Sequence, residues 1–226
     1  MSKIYVGTSR WSYEWNEENS LEWYKTESGL NAIELNMSYY RFPYPNMVKS
    51  WAKKALDLAW VIKVNRLITH LKKLNSESYE IFKRFTNLFK PLDKSICYFL
   101  LQFPSSFTDL DKIEKFLKNC GNEKIAIEFR NPIMFSKKIK KWAKDQNILL
   151  VSVDAPHLPI DIMSDKKIYL RIHGKDIWYS YDYKKNELEE LINRIPKNFE
   201  EIFIFFNNNH NMLNNAKSMF RLLYKK

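Results

Sequence analysis

Eight short apolar runs alternate with amphipathic segments along this chain, and that rhythm constrains the fold more than any other feature. The runs are rich in β-branched and aromatic residues and almost continuously apolar, which is typical of strands buried on both faces of a parallel sheet. They cover residues 4–9, 32–36, 60–65, 96–103, 125–130, 148–154, 168–174 and 201–209.

The segments between the runs carry apolar residues three and four positions apart, which predicts helices with one buried face. These helices are predicted over 19–29, 44–55, 76–89, 109–120, 136–146, 186–195 and 215–224. Only the short link 155–167 follows the sixth run. We therefore expect the sixth helix to be short or missing.

Eight strands with about seven helices match an eightfold βα repeat, which closes into a compact (β/α)8 TIM barrel of the α/β class. A doubly wound open sheet has the same rhythm, but no glycine-rich phosphate turn follows the first strand, and the chain has only four glycines. No linker rich in Gly, Ser or Pro divides it. Residues 1–226 are predicted to form a single TIM-barrel domain.

Composition limits the cellular setting. No apolar run approaches the roughly 18 residues that a membrane-spanning helix needs, so no membrane partner is expected. The two cysteines, Cys97 and Cys120, provide neither a disulfide framework nor metal-knuckle spacing. The start, "MSKIYVGTSR", lacks the layout of a signal peptide. These features favour the cytoplasm and leave the oligomeric state open.

The net charge of +11, from 37 basic and 26 acidic residues, favours an anionic partner, either a phosphorylated small molecule or nucleic acid. A solvated, lysine-rich surface explains the same excess equally well. Charge alone therefore does not choose a ligand.

Polar residues recur near the C-terminal ends of the predicted strands, where the active sites of TIM barrels lie. Several of them alternate with a period of two, so that each pair shares one face of its strand. The sets are Glu34 and Asn36, Lys63 and Asn65, Gln102, Glu128 and Arg130, Ser152 and Asp154, Arg171 and His173, and Asn207 to Asn209. We expect them to converge at one mouth of the barrel.

Roles follow from the chemistry of these side chains. Glu128 is the predicted general acid or base, with Asp154 and Glu34 as alternates. Arg130 beside it is expected to hold the carboxylate ionised and oriented, whereas partial burial is expected to raise its pKa toward neutrality. His173 is the predicted complementary proton-transfer group. An anion site is expected near Arg171, His173 and the 207–210 stretch, which includes Asn207, Asn208 and His210, with help from Lys63 and Arg130. Further substrate contacts are expected from Asn36, Gln102, Tyr39 and Trp11. Two alternatives stay open: an ionic cluster of Glu128, Arg130 and Glu34 that only caps the core, and a packing role for Trp11.

Seven motifs in the chain resemble those of the YecE-like family, whose domain carries the label "domain of unknown function 72". They are "GTSRWSY" (7–13), "IELNMSYYRFP" (33–43), "KVNRLITH" (63–70), "LLQFPSSF" (100–107), "EFRNP" (128–132), "LRIHG" (170–174) and "FNNNHN" (206–211). The resemblance implies a TIM barrel but supplies no reaction. A distant likeness of family members to endonuclease IV-type barrels suggests DNA binding. The sequence departs from the family at Arg10, where glycine is usual, and at 131–135, where a tryptophan is missing.

Metal chemistry of the endonuclease IV type needs a dense set of His, Asp and Glu ligands. The mouth candidates are few and share their place with cations, which repel a divalent metal. We therefore expect no cofactor and no metal, although a single divalent ion stays open.

Three functions remain. The first is an enzyme, hydrolase- or nuclease-like, acting on a phosphate-containing or nucleic-acid ligand. The alternatives are an isomerase or lyase of a small anionic metabolite and a non-catalytic nucleic-acid-binding module. Acid–base chemistry at the mouth is favoured, without a reaction being assigned.

Overall fold

Eight parallel strands form a closed barrel in the computed structural model, which describes residues 2–120, 124–158 and 160–224. Each strand pairs with the next along the chain, and the last pairs with the first. The strands are β1 (Lys3–Thr8), β2 (Ala32–Leu35), β3 (Ala59–Lys63), β4 (Ile96–Gln102), β5 (Ile125–Glu128), β6 (Leu149–Asp154), β7 (Lys167–Ile172) and β8 (Glu201–Phe206). All eight predicted strands and the TIM barrel are confirmed.

Helices follow the strands as the periodicity predicts. They are α1 (Leu21–Glu27), α2 (Met37–Tyr40), α3 (Pro45–Lys54), α4 (Ser76–Leu88), α5 (Leu110–Cys120), α6 (Lys137–Asp145), α7 (Lys185–Arg194) and α8 (Met212–Tyr224). A π-helical turn lies at Leu67–Leu71, and 3-10 turns lie at Lys90–Leu92, Pro132–Met134 and Asn209–Asn211. Between β6 and β7 the described part of the link contains no helix, which confirms the expected gap.

Local chemistry sets where several helices begin. Ser20 and Ser136 precede α1 and α6, and their hydroxyls accept the backbone N–H of Trp23 and Ile139. These bonds satisfy donors that the first turn of a helix leaves free. Pro45 starts α3, where its missing N–H costs nothing. None of the helices in the described ranges is long and apolar enough to cross a bilayer.

The alternation of side chains along each strand produces two apolar layers. One set points into the barrel and includes Val61, Leu100, Val151 and Phe203. The intervening residues, such as Ile62 and Leu101, pack against the helices. In the interior, the Tyr5 and Phe203 rings stack with their centroids 4.7 Å apart, and Tyr98 meets Phe203 edge-on. This packing fills the barrel on the N-terminal side of the polar residues.

Candidate active site

Four strands carry an inward-pointing charged side chain at their last or second-last residue, at the C-terminal end of the barrel. Each follows an inward-pointing residue by two positions, as the period of a strand requires. They are Glu34 after Ala32, Lys63 after Val61, Glu128 after Ala126 and Arg171 after Tyr169. We call these four residues, with Arg130 and His173 just beyond β5 and β7, the mouth.

Arg171 is the centre of the mouth and is completely buried. Its Nε donates to Glu34 Oε2 at 2.8 Å and its second terminal nitrogen donates to Glu34 Oε1 at 2.6 Å, which makes a bidentate pair. Its first terminal nitrogen donates to Glu128 Oε2. Glu34 also accepts from the hydroxyls of Ser9, at 2.9 Å, and Tyr169. Because Arg171 is committed to two carboxylates, it holds them in place and is not free to bind an external anion.

Glu128 is ionised at neutral pH. Its Oε1 forms an ion pair with Arg130 Nε, although the N–H does not point at the oxygen, so neither atom makes a hydrogen bond. Burial raises the pKa of Glu128, but the charges of Arg130, Arg171 and Lys63 outweigh it and lower the pKa to about 2. The expectation of a pKa raised toward neutrality is therefore wrong, because the cations contribute more than desolvation does.

His173 is buried and neutral. Its Nε2 lies 3.1 Å from a terminal nitrogen of Arg130. A guanidinium only donates, so we assign Nε2 as the acceptor and the ring proton to Nδ1. Burial, followed by the charges of Arg130, Arg171 and Lys63, lowers the pKa of His173 well below its ordinary value, and the Asn207 backbone opposes this weakly. A ring that stays neutral near neutral pH argues against the predicted role of His173 as the complementary proton-transfer group. Nδ1 makes no hydrogen bond of good geometry to the described residues.

Lys63 has no carboxylate within ion-pair distance among the described residues. Its side chain is 8% exposed, and Nζ lies 4.2 Å from the centroid of the Tyr39 ring. Burial, followed by the charge of Arg171, lowers the pKa of Lys63 to about 7, although Glu128 and Glu34 act in the opposite direction. Lys63 is therefore the cation of the mouth that the two carboxylates leave unpaired.

Aromatic side chains cover the mouth. The ring of Trp178, in the loop between β7 and α7, lies with its centroid 4.4 Å from the Arg130 guanidinium carbon. Gly174 allows this loop to turn back, because its φ of +119° is unfavourable for other residues and a Cβ there would lie 2.5 Å from the Ile177 carbonyl oxygen. The Tyr39 ring lies 5.3 Å from that of His70. Burial, followed by the charges of Lys63 and Arg130, lowers the pKa of His70 to about 4.

Several other predicted site residues also reach the mouth. Asn36 Oδ1 lies 3.5 Å from a terminal nitrogen of Arg171. Gln102 ends β4 in the inward phase and is half-buried, and Asn207 follows Phe205 in the same phase beyond β8. Tyr39 contacts Lys63. These residues surround the charged centre as the sequence predicts.

Asp154 and Asn208 do not reach the mouth, which corrects their predicted position. The inward residues of β6 are Val151 and Val153, so Asp154 faces the helices. Its Oδ2 accepts from the Tyr183 hydroxyl at 2.7 Å, and burial raises its pKa. Asn208 Nδ2 donates to the Tyr181 carbonyl oxygen at 2.6 Å, also outside the barrel.

Trp11 and His210 also lie away from the mouth. The Trp11 ring packs edge-on against Trp51 and Trp60, with centroids 5.5 and 5.9 Å apart, which favours the packing alternative. His210 is exposed, with Nδ1 2.9 Å from a Glu14 carboxylate oxygen. Of the 207–210 stretch that was predicted to bind an anion, only Asn207 therefore lies at the mouth.

Sequence reasoning missed Ser9 and Tyr169 as parts of the site. Both were detectable, because Ser9 shares the inward phase of β1 with Gly7, and Tyr169 shares that of β7 with Arg171. The positions of His70 and Trp178 depend on loop geometry, which has no periodic signal. Within the described residues no group of three or more His, Cys, Asp or Glu is arranged to hold a metal ion.

Comparison with known families settles where the chain belongs. The family model described as "Protein of unknown function DUF72" matches residues 5–226. The chain belongs to the DUF72 family. The family resemblance of the motifs is thereby confirmed, and the name of the family assigns no reaction.

Among curated proteins, the "UPF0759 protein YecE" of Escherichia coli strain K12 is 28% identical over 141 residues. The match covers 59% of this chain and 51% of that protein, as does the match to YecE of strain O157:H7. The aligned region thus spans about half the length of these relatives.

Solved structures of DUF72 family proteins share the fold over nearly the whole chain. The protein from Thermotoga maritima MSB8 superposes with a TM-score of 0.82 at 25% identity, covering 98% of this chain and 99% of that one. The protein from Enterococcus faecalis V583 superposes with a TM-score of 0.81 at 23% identity, covering 98% and 95%.

Proposed function

We propose that the protein is an enzyme that binds a small anionic substrate in the mouth and moves a proton there with Lys63. The observation that carries this proposal is the charge balance of the mouth. Two carboxylates, Glu34 and Glu128, face two guanidiniums and one amine, and the amine has no carboxylate partner among the described residues. An anionic ligand would supply the missing counter-charge.

The side chains divide into two roles under this proposal. Lys63 is the proton-transfer group, because an amine with a pKa of about 7 exists in both protonation states at neutral pH. Arg130, whose side chain is 11% exposed, binds the anionic group of the substrate. Arg171 and the two carboxylates are positioning residues. His173 is a neutral ring whose Nε2 accepts from Arg130 and so helps to hold that guanidinium in place.

A small substrate fits the burial of the site better than a nucleic-acid backbone does. Lys63 is 8% exposed, and Trp178 covers Arg130, so a phosphodiester chain at the rim would not reach the amine without movement of the loops. An ionised Glu128 is also unsuited to be the general acid of a hydrolase. Proton transfer on a carboxylate- or phosphate-bearing metabolite, as in an isomerase or lyase, is the reaction class that we propose.

Single-stranded nucleic acid is a second candidate ligand, favoured by the rim of the barrel. Large apolar side chains are exposed in the segments that follow the strands, including Tyr40 at the end of α2, Tyr44 before α3, and Ile177 and Tyr179 after β7. Exposed rings on a chain of net charge +11 are a suitable stacking platform for bases. Binding there would weaken steeply with salt because it releases counterions, whereas binding in the buried mouth is screened less.

Titration calorimetry tests the proposal with inorganic phosphate as the probe and a 20-nucleotide single strand as the second ligand. We expect phosphate to bind the wild type and to bind Lys63→Met at least about tenfold more weakly, since a charge-assisted bond is lost. Lys167→Met is the matched control, because Lys167 is exposed at the opposite end of the barrel. Absence of phosphate binding, or equal affinity in all three proteins, would overturn the proposal. Salt-sensitive binding of the single strand alone would favour the second candidate.

A further inference from the structure

We propose that Lys63 forms an imine with the carbonyl carbon of its substrate, so that the substrate class is small anionic aldehydes and ketones. The inference rests on the proposed function, since it assigns covalent chemistry to the same mouth. It follows from the position of the amine, the charges around it and the cover over it.

The amine is fixed at the place where a TIM barrel presents its reactive groups. Lys63 is the last residue of β3 and points inward. Its backbone carbonyl accepts a hydrogen bond from the Ser38 hydroxyl at 2.6 Å, which anchors the strand end. The Tyr39 ring lies against Nζ at 4.2 Å. The side chain is therefore held in the mouth without an ionic partner among the described residues.

The surrounding charges favour a neutral amine. Charged and polar groups from several elements surround the Lys63 amine and the neighbouring imidazole of His70. They are Glu34 on β2, Tyr39 on α2, Arg66 at the start of the π-helical turn that carries His70, Glu128 and Arg130 at β5, and Arg171 on β7. Both carboxylates are engaged by guanidiniums. An amine desolvated beside cations loses its proton near neutral pH, and the free base is the nucleophile.

Imine formation needs only the amine and the carbonyl compound. The lone pair of Nζ adds to the carbonyl carbon, and the carbonyl oxygen leaves as water with the two amine protons. Uptake of one proton gives an iminium ion at the place where the ammonium charge stood. That cation withdraws electrons from the neighbouring carbon, which eases loss of a proton or cleavage of a carbon–carbon bond there.

The rest of the mouth matches a substrate that carries an anion beside its carbonyl group. Arg130 offers a guanidinium close enough to influence Lys63 electrostatically, and Trp178 lies over that guanidinium. His173 Nε2 accepts from the same guanidinium and helps to hold it at the mouth. A covered mouth slows the return of water, which would hydrolyse an imine.

Reductive trapping tests the inference with the full chain. The protein is incubated at pH 7 with glyoxylate and sodium cyanoborohydride, and modified lysines are located by peptide mass spectrometry. A surface lysine with a pKa of roughly 10.4 is almost entirely protonated at this pH, whereas about half of Lys63 is neutral. Allowing for restricted access, we expect Lys63 to react at least about tenfold faster than Lys167. Lys63→Arg should lose the fast event, and inorganic phosphate should slow it in the wild type.

The outcomes separate the two proposals when phosphate binding is measured on the same preparation. If Lys63 reacts no faster than Lys167 while phosphate still binds, the imine is overturned and the proposed function stands. If neither occurs, both are overturned. Fast labelling that phosphate leaves unchanged would retain the imine and overturn the assignment of the anion to this mouth.

Discussion

Substitution of Arg171 by methionine leaves Glu34 and Glu128 buried without the guanidinium that both of them contact. Methionine is unbranched and flexible, so it fills part of the volume without adding a charge. Removing one partner of a buried ion pair costs about 3–5 kcal/mol, because a buried charge is left uncompensated. The pKa of Glu128 shows the same stabilisation from the other side. Its fall from 4.5 to about 2 corresponds to about 3 kcal/mol of stabilisation of the folded state, to which Arg130, Arg171 and Lys63 all contribute.

Urea unfolding followed by circular dichroism measures this cost. At pH 7 we expect Arg171→Met to lose about 3–5 kcal/mol, while Lys167→Met, at the exposed start of the same strand, should change by less than about 0.5 kcal/mol. The stabilisation from Glu128 is complete above the unfolded pKa near 4.5 and is lost as the pH falls toward about 2. The difference between wild type and Arg171→Met should therefore shrink on acidification. Equal stability of both variants at pH 7, or a difference that grows in acid, would refute the reasoning.

Three further predictions concern other parts of the site. The pKa of Lys63 is about 7 in the folded protein, so above that pH the unfolded chain binds more protons than the folded one. The free energy of unfolding of the wild type should therefore rise by roughly 2 kcal/mol from pH 7 to 9. Urea titrations should find this rise missing in Lys63→Met. Gly174→Ala should lower Tm by several degrees in calorimetry, because the added Cβ would lie 2.5 Å from a backbone oxygen of the loop. Gly29→Ala should lower Tm less, because its Cβ would meet no described atom within 4 Å. Equal shifts in the two variants would argue against a strained loop. Tyr183→Phe should cost about 1–3 kcal/mol, because Asp154 loses its hydroxyl donor; an unchanged urea midpoint would contradict that role.

The barrel was predictable because its signal is periodic and repeated. The run 96–103 is almost entirely apolar on both faces, and the structure has a strand at Ile96–Gln102. The run 168–174 is apolar on one face throughout, and the structure has a strand at Lys167–Ile172. The predicted strands extend up to three residues too far, as at 201–209 against Glu201–Phe206. Polar residues beyond a strand end keep its alternation for a residue or two, so sequence alone does not show where the hydrogen-bonded ladder stops.

The composition of the mouth was predictable wherever the inward phase could be read from a neighbouring residue. Arg171 and Glu128 lie where the alternation puts them. Asp154 was misplaced because β6 is apolar almost throughout, and its outward phase became evident only from Val151 and Val153 inside the barrel. When both faces of a strand are buried, the sequence hardly shows which residues point into the barrel and which point toward the helices.

The charge states of the site could not be read from the sequence. The pKa of Glu128 depends on how many cations surround it, and Arg130, Arg171 and Lys63 approach it from three strands or strand ends. Closure of the barrel also leaves Lys63 without a carboxylate partner among the described residues. These properties depend on distances across the barrel, which no local pattern specifies.

The protonation of Lys63 is the most direct test of the account. Carbon-13 labelling of lysine Cε allows each amine to be titrated by NMR, and comparison with Lys63→Met assigns the signal. We expect one lysine to titrate near pH 7, with a pKa that rises when inorganic phosphate is added, because a bound anion favours the charged amine. If the Lys63 signal titrates near 10, like a surface lysine, and does not respond to phosphate, the central claim is contradicted.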